Sequence, residues 1–283
     1  MRAPRLLLFS LLLAPAALFA ADRITPLQLE LPNGRRLPAE IRAPDHADGR
    51  LPAVMLFGGF QGTAEILDRI TTGQAVVRAS FPYPWDPPRR LRAGNLRDSL
   101  LDFRRAVDDT IDGIVALTTA LLARDDVDPD RISIVGASAG APFAVFAAGR
   151  AGIPGLVIVQ GFGQVPDVIG RQFELKLRQD HGAWVAPVSR LLGRAISCYL
   201  DLPAPEDDAR RLRSGQRVLM ITATDDERIP AAATEALWQA LQASDAEIDR
   251  VDRPGAHLRG YGDPAIDEIL AQAIAWLRSS DLI

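Results

Sequence analysis

The sequence predicts an α/β protein with a mostly parallel, doubly wound sheet. Apolar runs typical of buried parallel strands alternate six times with segments whose periodicity is typical of helices. One apolar strand, over 132–135, runs into the turn Gly136-Ala-Ser138-Ala-Gly140 and then into a small-residue helix over 141–149. Because crossovers between parallel strands place helices on both faces of a sheet, these observations predict one doubly wound domain.

The first 20 residues have the layout of a secretory signal peptide. Two arginines precede an apolar run over 6–13, and small residues follow it. The run is too short to span a membrane as a mature helix. We expect cleavage after Ala20, with Ala14-Pro-Ala16 as an alternative site. The predicted product is an exported protein, periplasmic or secreted, of residues 21–283 with no stable membrane anchor.

Composition excludes several classes of protein. The chain has 283 residues, is 48% hydrophobic and carries a net charge of −4, so it can bury a substantial core and lacks the basic stripe of a nucleic-acid-binding protein. Its three histidines and one cysteine form no cluster at metal-ligand spacing, so we expect neither a structural zinc nor another cofactor. Cys198 has no partner for an intrachain disulfide and is expected to be buried. The oligomeric state is left open.

The amino-terminal part predicts a hairpin and a first central strand. Residues 27–31 alternate, a Pro-Asn-Gly turn follows, and residues 37–41 resume the extended pattern, which predicts an N-terminal β-hairpin at a sheet edge. The continuous apolar run over 52–57 is typical of a central parallel strand. It ends in Gly58-Gly59-Phe60-Gln61-Gly62, at the carboxyl edge where such sheets bind ligands.

A short helix over 63–71 and a strand over 74–79 are expected next. The following segment, 80–88, contains four prolines, which forbid regular structure. It is either a simple connection or a stiff loop whose Tyr83 and Trp85 wall a pocket.

The middle of the chain predicts a long helix, the serine turn and another strand. Residues 98–123 carry an apolar stripe that packs on the sheet, and the acidic segment 125–130 is expected to end this helix in a loop. Residues 153–159 form the next apolar strand, which is closed by a loop containing Phe162.

Residues 164–216 show no strand pattern. Helices are predicted over 172–179 and from Pro187 to Leu200, so this excursion is either a lid over a site or a structural helix pair. The remaining elements are a strand over 217–223, a helix over 231–242, a strand over 247–251 and a helix over 264–278.

Ser138 stands at the apex of the strand–turn–helix segment. Such a serine is either a helix cap or a nucleophile, and a nucleophilic serine needs an adjacent base held by an acid. On this architecture the order along the chain is serine, acid, histidine. Among the three histidines only His257, after the last strand, fits that order, whereas His46 precedes the serine and His181 precedes any suitable acid.

The acid is expected in the segment that follows the strand over 217–223, which offers three adjacent carboxylates. The chain resembles the α/β-hydrolase superfamily in three ordered motifs: the serine turn, an Asp-x-x-Ile-Pro segment over 226–230 and Gly255-Ala-His257. The likeness covers essentially the whole mature chain. It implies Ser138, Asp226 and His257 as the catalytic residues, and it leaves Asp225 as a capping or supporting carboxylate.

The resemblance also implies an oxyanion hole formed by two backbone N–H groups, those of Ala139 and Phe60. Many relatives have His-Gly where this chain has Gly58-Gly59, so Gln61 is an alternative second donor. Apolar walls for a substrate are expected from Tyr83, Trp85 and Phe162, and Gln61 is expected to bind a polar group of the substrate. The list of expected substrate-binding residues is Gln61, Tyr83, Trp85 and Phe162.

The motifs together predict an exported serine hydrolase that cleaves a small-molecule carboxylic ester through an acyl-enzyme intermediate. The same residues also suit a serine peptidase, a thioesterase or an acyltransferase. A non-catalytic binding protein on this fold is the third alternative, although it gives no reason for all three positions to be filled. The chemistry requires no metal or cofactor, because the three side chains move the proton and form the covalent bond themselves.

Overall fold

The computed structural model of the protein describes residues 22–45, 49–59, 67, 74–85, 93–260 and 262–283. These residues form one eight-stranded sheet covered by helices on both faces, as the alternation of apolar segments predicts. The strands are β1 (Asp22–Glu30), β2 (Arg36–Pro44), β3 (Leu51–Phe57), β4 (Val77–Ser80), β5 (Val127–Ala137), β6 (Gly155–Val159), β7 (Arg217–Ala223) and β8 (Glu247–Arg253). The helices are α1 (Leu96–Leu122), α2 (Gly140–Ala151), α3 (Val165–His181), α4 (Val185–Leu200), α5 (Pro205–Ala209), α6 (Ala231–Gln242) and α7 (Ala265–Ser279).

The strand order is β1-β2-β4-β3-β5-β6-β7-β8. The neighbouring strands in the run β4-β3-β5-β6-β7-β8 all pair in parallel. Strands β1 and β2 form an antiparallel hairpin, and β2 also pairs antiparallel with β4. The predicted amino-terminal hairpin is therefore confirmed, at one edge of the sheet. Because β3 and β5 to β8 run in the same direction, the loops that follow them lie along one edge, where this type of sheet binds ligands.

Alternate residues of the central strands enter two separate hydrophobic layers. Ala53, Met55 and Phe57 of β3 pack in the layer formed with α1, α2 and α6, whereas Val54 and Leu56 pack in the layer formed with α7. Every residue of β3 is buried. Burial on both faces explains why this strand is a continuous apolar run in the sequence.

Strand β5 begins earlier than predicted. A loop was expected over 125–130, but β5 starts at Val127, which is buried and pairs with Leu51. The register of the β3–β5 pair then shifts within this part of the ladder. The irregularity accommodates Pro129, because proline has no N–H to donate to a neighbouring strand.

Another prediction was wrong: Cys198 is exposed, not buried, on α4. Several predictions fall on residues that the structure does not describe. These are the signal peptide, His46 and all of the helix expected over 63–71 except Leu67.

The segment between β6 and β7 contains α3, α4 and the short α5, and α3 is longer than the predicted helix over 172–179. Helices α3 and α4 approach closely, since a Cβ on Gly193 would lie 2.3 Å from the carbonyl oxygen of Pro166. Arg171 and Gln172 of α3 donate hydrogen bonds to the backbone carbonyls of residues 227 and 228. Across the described part of the chain, none of the helices combines the length and apolar character that crossing a membrane requires.

Candidate active site

The turn between β5 and α2 holds Ser138 in a strained conformation. Ser138 has φ 52°, in the left-handed region that residues with a side chain rarely occupy. A Cβ on Gly136 would lie 2.5 Å from the Cβ of Ala144, and one on Gly140 would lie 2.1 Å from the carbonyl oxygen of Phe57. Only glycine fits at these two positions, so the glycines allow α2 to pack directly against the sheet below the serine.

Three side chains from three loops form a continuous hydrogen-bonded line. The Oγ of Ser138 is 2.8 Å from Nε2 of His257, and Nδ1 of the same ring is 2.7 Å from Oδ2 of Asp226. Ser138 follows β5, Asp226 follows β7, and His257 follows β8. The structure therefore brings together the three residues that the sequence motifs selected, although 119 positions separate the serine from the histidine.

The Asp226 carboxyl is held in its ionised form. Burial opposes ionisation, but hydrogen bonds from His257 and from the backbone N–H groups of Ile229 and Arg228 outweigh it and lower the pKa of Asp226 below its ordinary value. An ionised carboxylate can only accept, so Nδ1 of His257 carries the proton that is shared with it. In the neutral imidazole this leaves Nε2 free to accept the Ser138 hydroxyl proton.

Asp225 does not face the histidine ring. Its Oδ2 accepts a hydrogen bond from the N–H of Gly255, at 3.2 Å, and its own N–H donates to the Gly255 carbonyl, at 3.0 Å. Asp225 therefore supports the loop that carries His257, in agreement with the supporting role predicted for it.

Two residues that the sequence reasoning did not select hold the same loop. Glu227 accepts a hydrogen bond from the backbone N–H of His257, at 3.1 Å. The side-chain amide of Gln160 donates to the Ala256 carbonyl, at 3.2 Å, and accepts from the Leu258 N–H, at 2.9 Å. The peptide groups on both sides of His257 are thus bound by one buried glutamine.

Gln160 has an unusual backbone as well. Its φ is 49°, in the left-handed region, and its N–H donates to the carbonyl of Ile221 in the next strand. A non-glycine residue in this region costs free energy that surrounding contacts must offset. The signal available in the sequence was position alone, since Gln160 directly follows β6 at the edge where the site lies.

A cavity of about 790 Å³ opens beside Ser138 and His257. Aromatic and aliphatic side chains form most of its wall, and polar side chains are few. The lining includes Trp85, Phe103, Phe143, Phe146, Phe162, Val165, Val168, Ile169, Gln172, Leu202, Arg228, Ile229, Leu258 and Arg259. A space of this size and character suits an organic ligand with a substantial apolar part.

Trp85 and Phe162 line the cavity as predicted, and Ala139 lines it directly beside Ser138. Tyr83 is not among the lining residues. Its hydroxyl donates to the Gly58 carbonyl, at 2.6 Å, and its ring packs between Phe57 and Phe143. This hydrogen bond makes Tyr83 a support for the loop that begins at Gly58.

The remaining predicted site residues have different outcomes. Gly58 and Gly59 line the cavity, whereas Phe60 and Gln61 lie outside the described residues. His181 is the exposed last residue of α3 and is not part of the cavity lining.

No protein-family model matches this sequence, and no curated protein sequence matches it. Solved structures do match. A candidate dienelactone hydrolase from Klebsiella pneumoniae subsp. pneumoniae MGH 78578 shares 18% identity over 91% of this chain and 99% of its own, with a TM-score of 0.61. An acetyl xylan esterase from Paenibacillus sp. R4 shares 19% identity over 93% and 85%, with a TM-score of 0.60.

A third match is an isopeptidase, AtxE2, with the peptide Astexin3-dC4 bound. It shares 17% identity over 91% of this chain but only 40% of its own length, with a TM-score of 0.62. The likeness of fold to these structures agrees with the sheet order, in which the strands from β3 to β8 form a parallel sheet with helices on both faces. This chain has the α/β-hydrolase fold.

Proposed function

We propose that this protein is an exported serine hydrolase that cleaves carboxylic esters through an acyl-enzyme intermediate. The observation that carries the proposal is the line from the Ser138 hydroxyl through His257 to Asp226, with distances of 2.8 and 2.7 Å, at the wall of an apolar cavity. A surface-exposed serine that merely capped a helix would have no reason to meet a buried histidine held by an ionised carboxylate.

The geometry supports the following steps. Nε2 of His257 takes the hydroxyl proton as the Oγ of Ser138 bonds to the ester carbonyl carbon, and the C=O electrons move onto the carbonyl oxygen. The Asp226 carboxylate keeps the imidazole oriented and stabilises its cationic form. When the carbonyl re-forms, the C–O bond to the alcohol breaks and the imidazolium donates its proton to the departing oxygen. Water then repeats the sequence on the acyl-serine and releases the acid.

The tetrahedral intermediates need N–H donors for their oxyanion. Ala139 directly follows the nucleophile and precedes the first residue of α2, so its backbone N–H is our first donor. The second is assigned to the loop after β3, with Phe60 favoured over Gln61. The hydrogen bond from Tyr83 to the Gly58 carbonyl anchors the start of that loop.

The cavity favours esters with an apolar acyl or alcohol group of several carbons. Its volume of about 790 Å³ exceeds what an acetyl group fills, and its wall is mainly aromatic and aliphatic. Each buried methylene contributes about 0.8 kcal/mol. Hydrolysis of p-nitrophenyl esters should therefore rise in kcat/KM from acetate to a chain of middle length.

The decisive experiment compares Ser138→Ala with Ser279→Ala. Both remove one hydroxyl, but Ser279 is an exposed residue on α7 and is not part of the cavity lining. We expect Ser138→Ala to lose fluorophosphonate labelling and at least about 10³-fold in ester hydrolysis, while Ser279→Ala keeps both. Full activity of Ser138→Ala would rule out the proposed mechanism.

Amide cleavage is a second candidate, favoured by the likeness in fold to an isopeptidase. The same serine, histidine and aspartate serve both reactions, so the site geometry does not separate them. The comparison that separates them is kcat/KM for an aminoacyl p-nitroanilide against the matching p-nitrophenyl ester. A higher value for the anilide would favour the peptidase.

Export is part of the proposal and is supported by the layout of the first 20 residues. The test is to express the full chain in a Gram-negative host and to determine the amino-terminal residue of the protein from each cell fraction. Processing near Ala20 in an extracytoplasmic fraction is expected. An unprocessed protein confined to the cytoplasm would contradict it.

A further inference from the structure

Helix α4 exposes an apolar surface that nothing in the described chain covers. Eight large apolar side chains of the described residues are exposed, and five of them lie on α4 or directly before it. These five are Trp184 (68% exposed), Val188 (52%), Leu191 (70%), Leu192 (37%) and Tyr199 (55%). Their concentration in one place is the informative feature, because single exposed apolar residues are common.

The five side chains form one continuous surface. At 3.6 residues per turn, positions 184, 188, 191 and 199 fall on one side of the helix, and 192 lies beside them. The opposite side, with Val185, Ser189, Gly193 and Ser197, is buried. Helix α4 therefore turns mostly small residues toward the protein and places its large apolar side chains on the outside, where a helix that faces water carries polar residues. We call this surface, residues 184, 188, 191, 192 and 199, the α4 patch.

The charged side chains of α4 itself have one sign. Helix α4 contains Arg190 and Arg194 and no acidic residue. Arg190 is exposed and has no ion pair within the described residues, and Arg194 has one 3.7 Å pair, with Asp167. Helices α3 and α4 hold five Lys or Arg against three Asp or Glu, in a chain whose net charge is −4. The patch is thus flanked by cationic groups on a protein that is otherwise acidic.

We propose that the α4 patch docks on the surface of an anionic phospholipid bilayer. Arginine beside exposed leucine and tryptophan is the composition of helices that lie in the membrane interface. Trp184 and Tyr199 stand at the two ends of the patch, about 22 Å apart along the helix axis, and both residue types favour the headgroup level of a bilayer. The patch covers the outer side of a single helix, a shape that a flat, deformable surface can accept.

Self-association through the same surface is less favourable. A two-fold contact would place α4 of one copy against α4 of another and bring their Arg190 and Arg194 side chains together. The helix has no carboxylate to offset that repulsion. Anionic headgroups, in contrast, are attracted to both arginines. Docking depends on the patch alone and stands whether or not the proposed esterase activity is correct.

The first test measures partitioning of the full chain onto vesicles of phosphatidylcholine with 30% phosphatidylglycerol by flotation. We expect Leu191→Ser to lower the partition coefficient about tenfold or more, because it removes a side chain that would be buried in lipid. Arg190→Gln should lower it about fivefold on anionic vesicles and leave binding to pure phosphatidylcholine unchanged. Leu122→Ser is the matched control, since Leu122 is 49% exposed at the far end of α1 and should bind like the wild type.

The second test reports on the patch itself. The apolar segment over 6–13 can also bind lipid, so quenching of tryptophan emission by brominated acyl chains is compared between the wild type and Trp184→Phe. The quenched fraction should fall in the variant. Equal partitioning of wild type and Leu191→Ser, or equal quenching with and without Trp184, would overturn the proposal. A wild-type dimer in sedimentation that Leu191→Ser converts to monomer would also overturn it, in favour of self-association.

Discussion

The buried amide of Gln160 is expected to control where His257 stands. Gln160 is 4% exposed, and it binds both peptide groups that flank the histidine, at 3.2 and 2.9 Å. The change to test is Gln160→Ala, which removes both hydrogen bonds and adds no new group. Gln160 does not line the cavity, so substrate contacts stay the same.

The size of the effect follows from these two contacts. Leaving a buried donor or acceptor without its partner costs about 1–3 kcal/mol each, and the two bonds here are only partly buried, so Gln160→Ala should lose about 2–4 kcal/mol of unfolding free energy, the lower part of the summed range. If the loop relaxes to recover those bonds with water, the His257 ring moves. A shift of about 1 Å in a catalytic group lowers the rate about 100-fold. We therefore expect kcat to fall by that factor, with KM nearly unchanged.

The variant Gln160→Gly separates positioning from stability. Glycine removes the strain of the φ 49° backbone at this position and should recover about 1 kcal/mol relative to alanine, but it has no amide to hold the loop. Urea unfolding followed by tryptophan fluorescence gives the stabilities, and p-nitrophenyl ester hydrolysis gives kcat and KM. We expect Gln160→Gly to be more stable than Gln160→Ala and equally slow. Retention of kcat within about threefold in Gln160→Ala would refute the reasoning, since a misplaced base costs far more.

Three further predictions concern the site and its packing. Gly140→Ala should lower the free energy of unfolding, measured in urea, by about 3 kcal/mol or more, because the added Cβ would lie 2.1 Å from the Phe57 carbonyl oxygen. A change under about 1 kcal/mol would contradict the close approach. Val168→Trp fills the cavity and should reduce kcat/KM for an octanoate ester at least about tenfold relative to acetate; an unchanged ratio would show that the acyl chain lies elsewhere. The Asp226 pKa is lowered in the folded protein, so its stabilising contribution is present above about pH 4, the ordinary Asp pKa, and is lost as the pH falls through the depressed value. The difference in unfolding free energy between wild type and Asp226→Asn should therefore shrink on acidification, and a constant difference would contradict it.

Segments with strong local signals were predicted closely. Strand β7 and helix α6 have the predicted bounds, 217–223 and 231–242, because a short apolar run and a 3.6-residue period are properties of neighbouring residues. The start of β5 was wrong, since the burial of Val127 against Leu51 depends on a strand 76 positions earlier. The exposure of Cys198 was missed for a related reason: the helix has apolar residues on both sides, and its sequence does not say which side faces α3.

The sequence by itself determined the α/β architecture and the order of the serine, aspartate and histidine, because each follows a strand that its own composition marks. Only the tertiary structure decided which atoms meet. It joined the Asp226 carboxylate to the His257 ring, turned the Tyr83 hydroxyl to the Gly58 carbonyl, and placed Gln160 against a loop 96 positions away. It also left the α4 patch on the surface. Each of these outcomes depends on how separate strands and helices pack, and contacts between distant segments leave no periodic pattern in a single sequence.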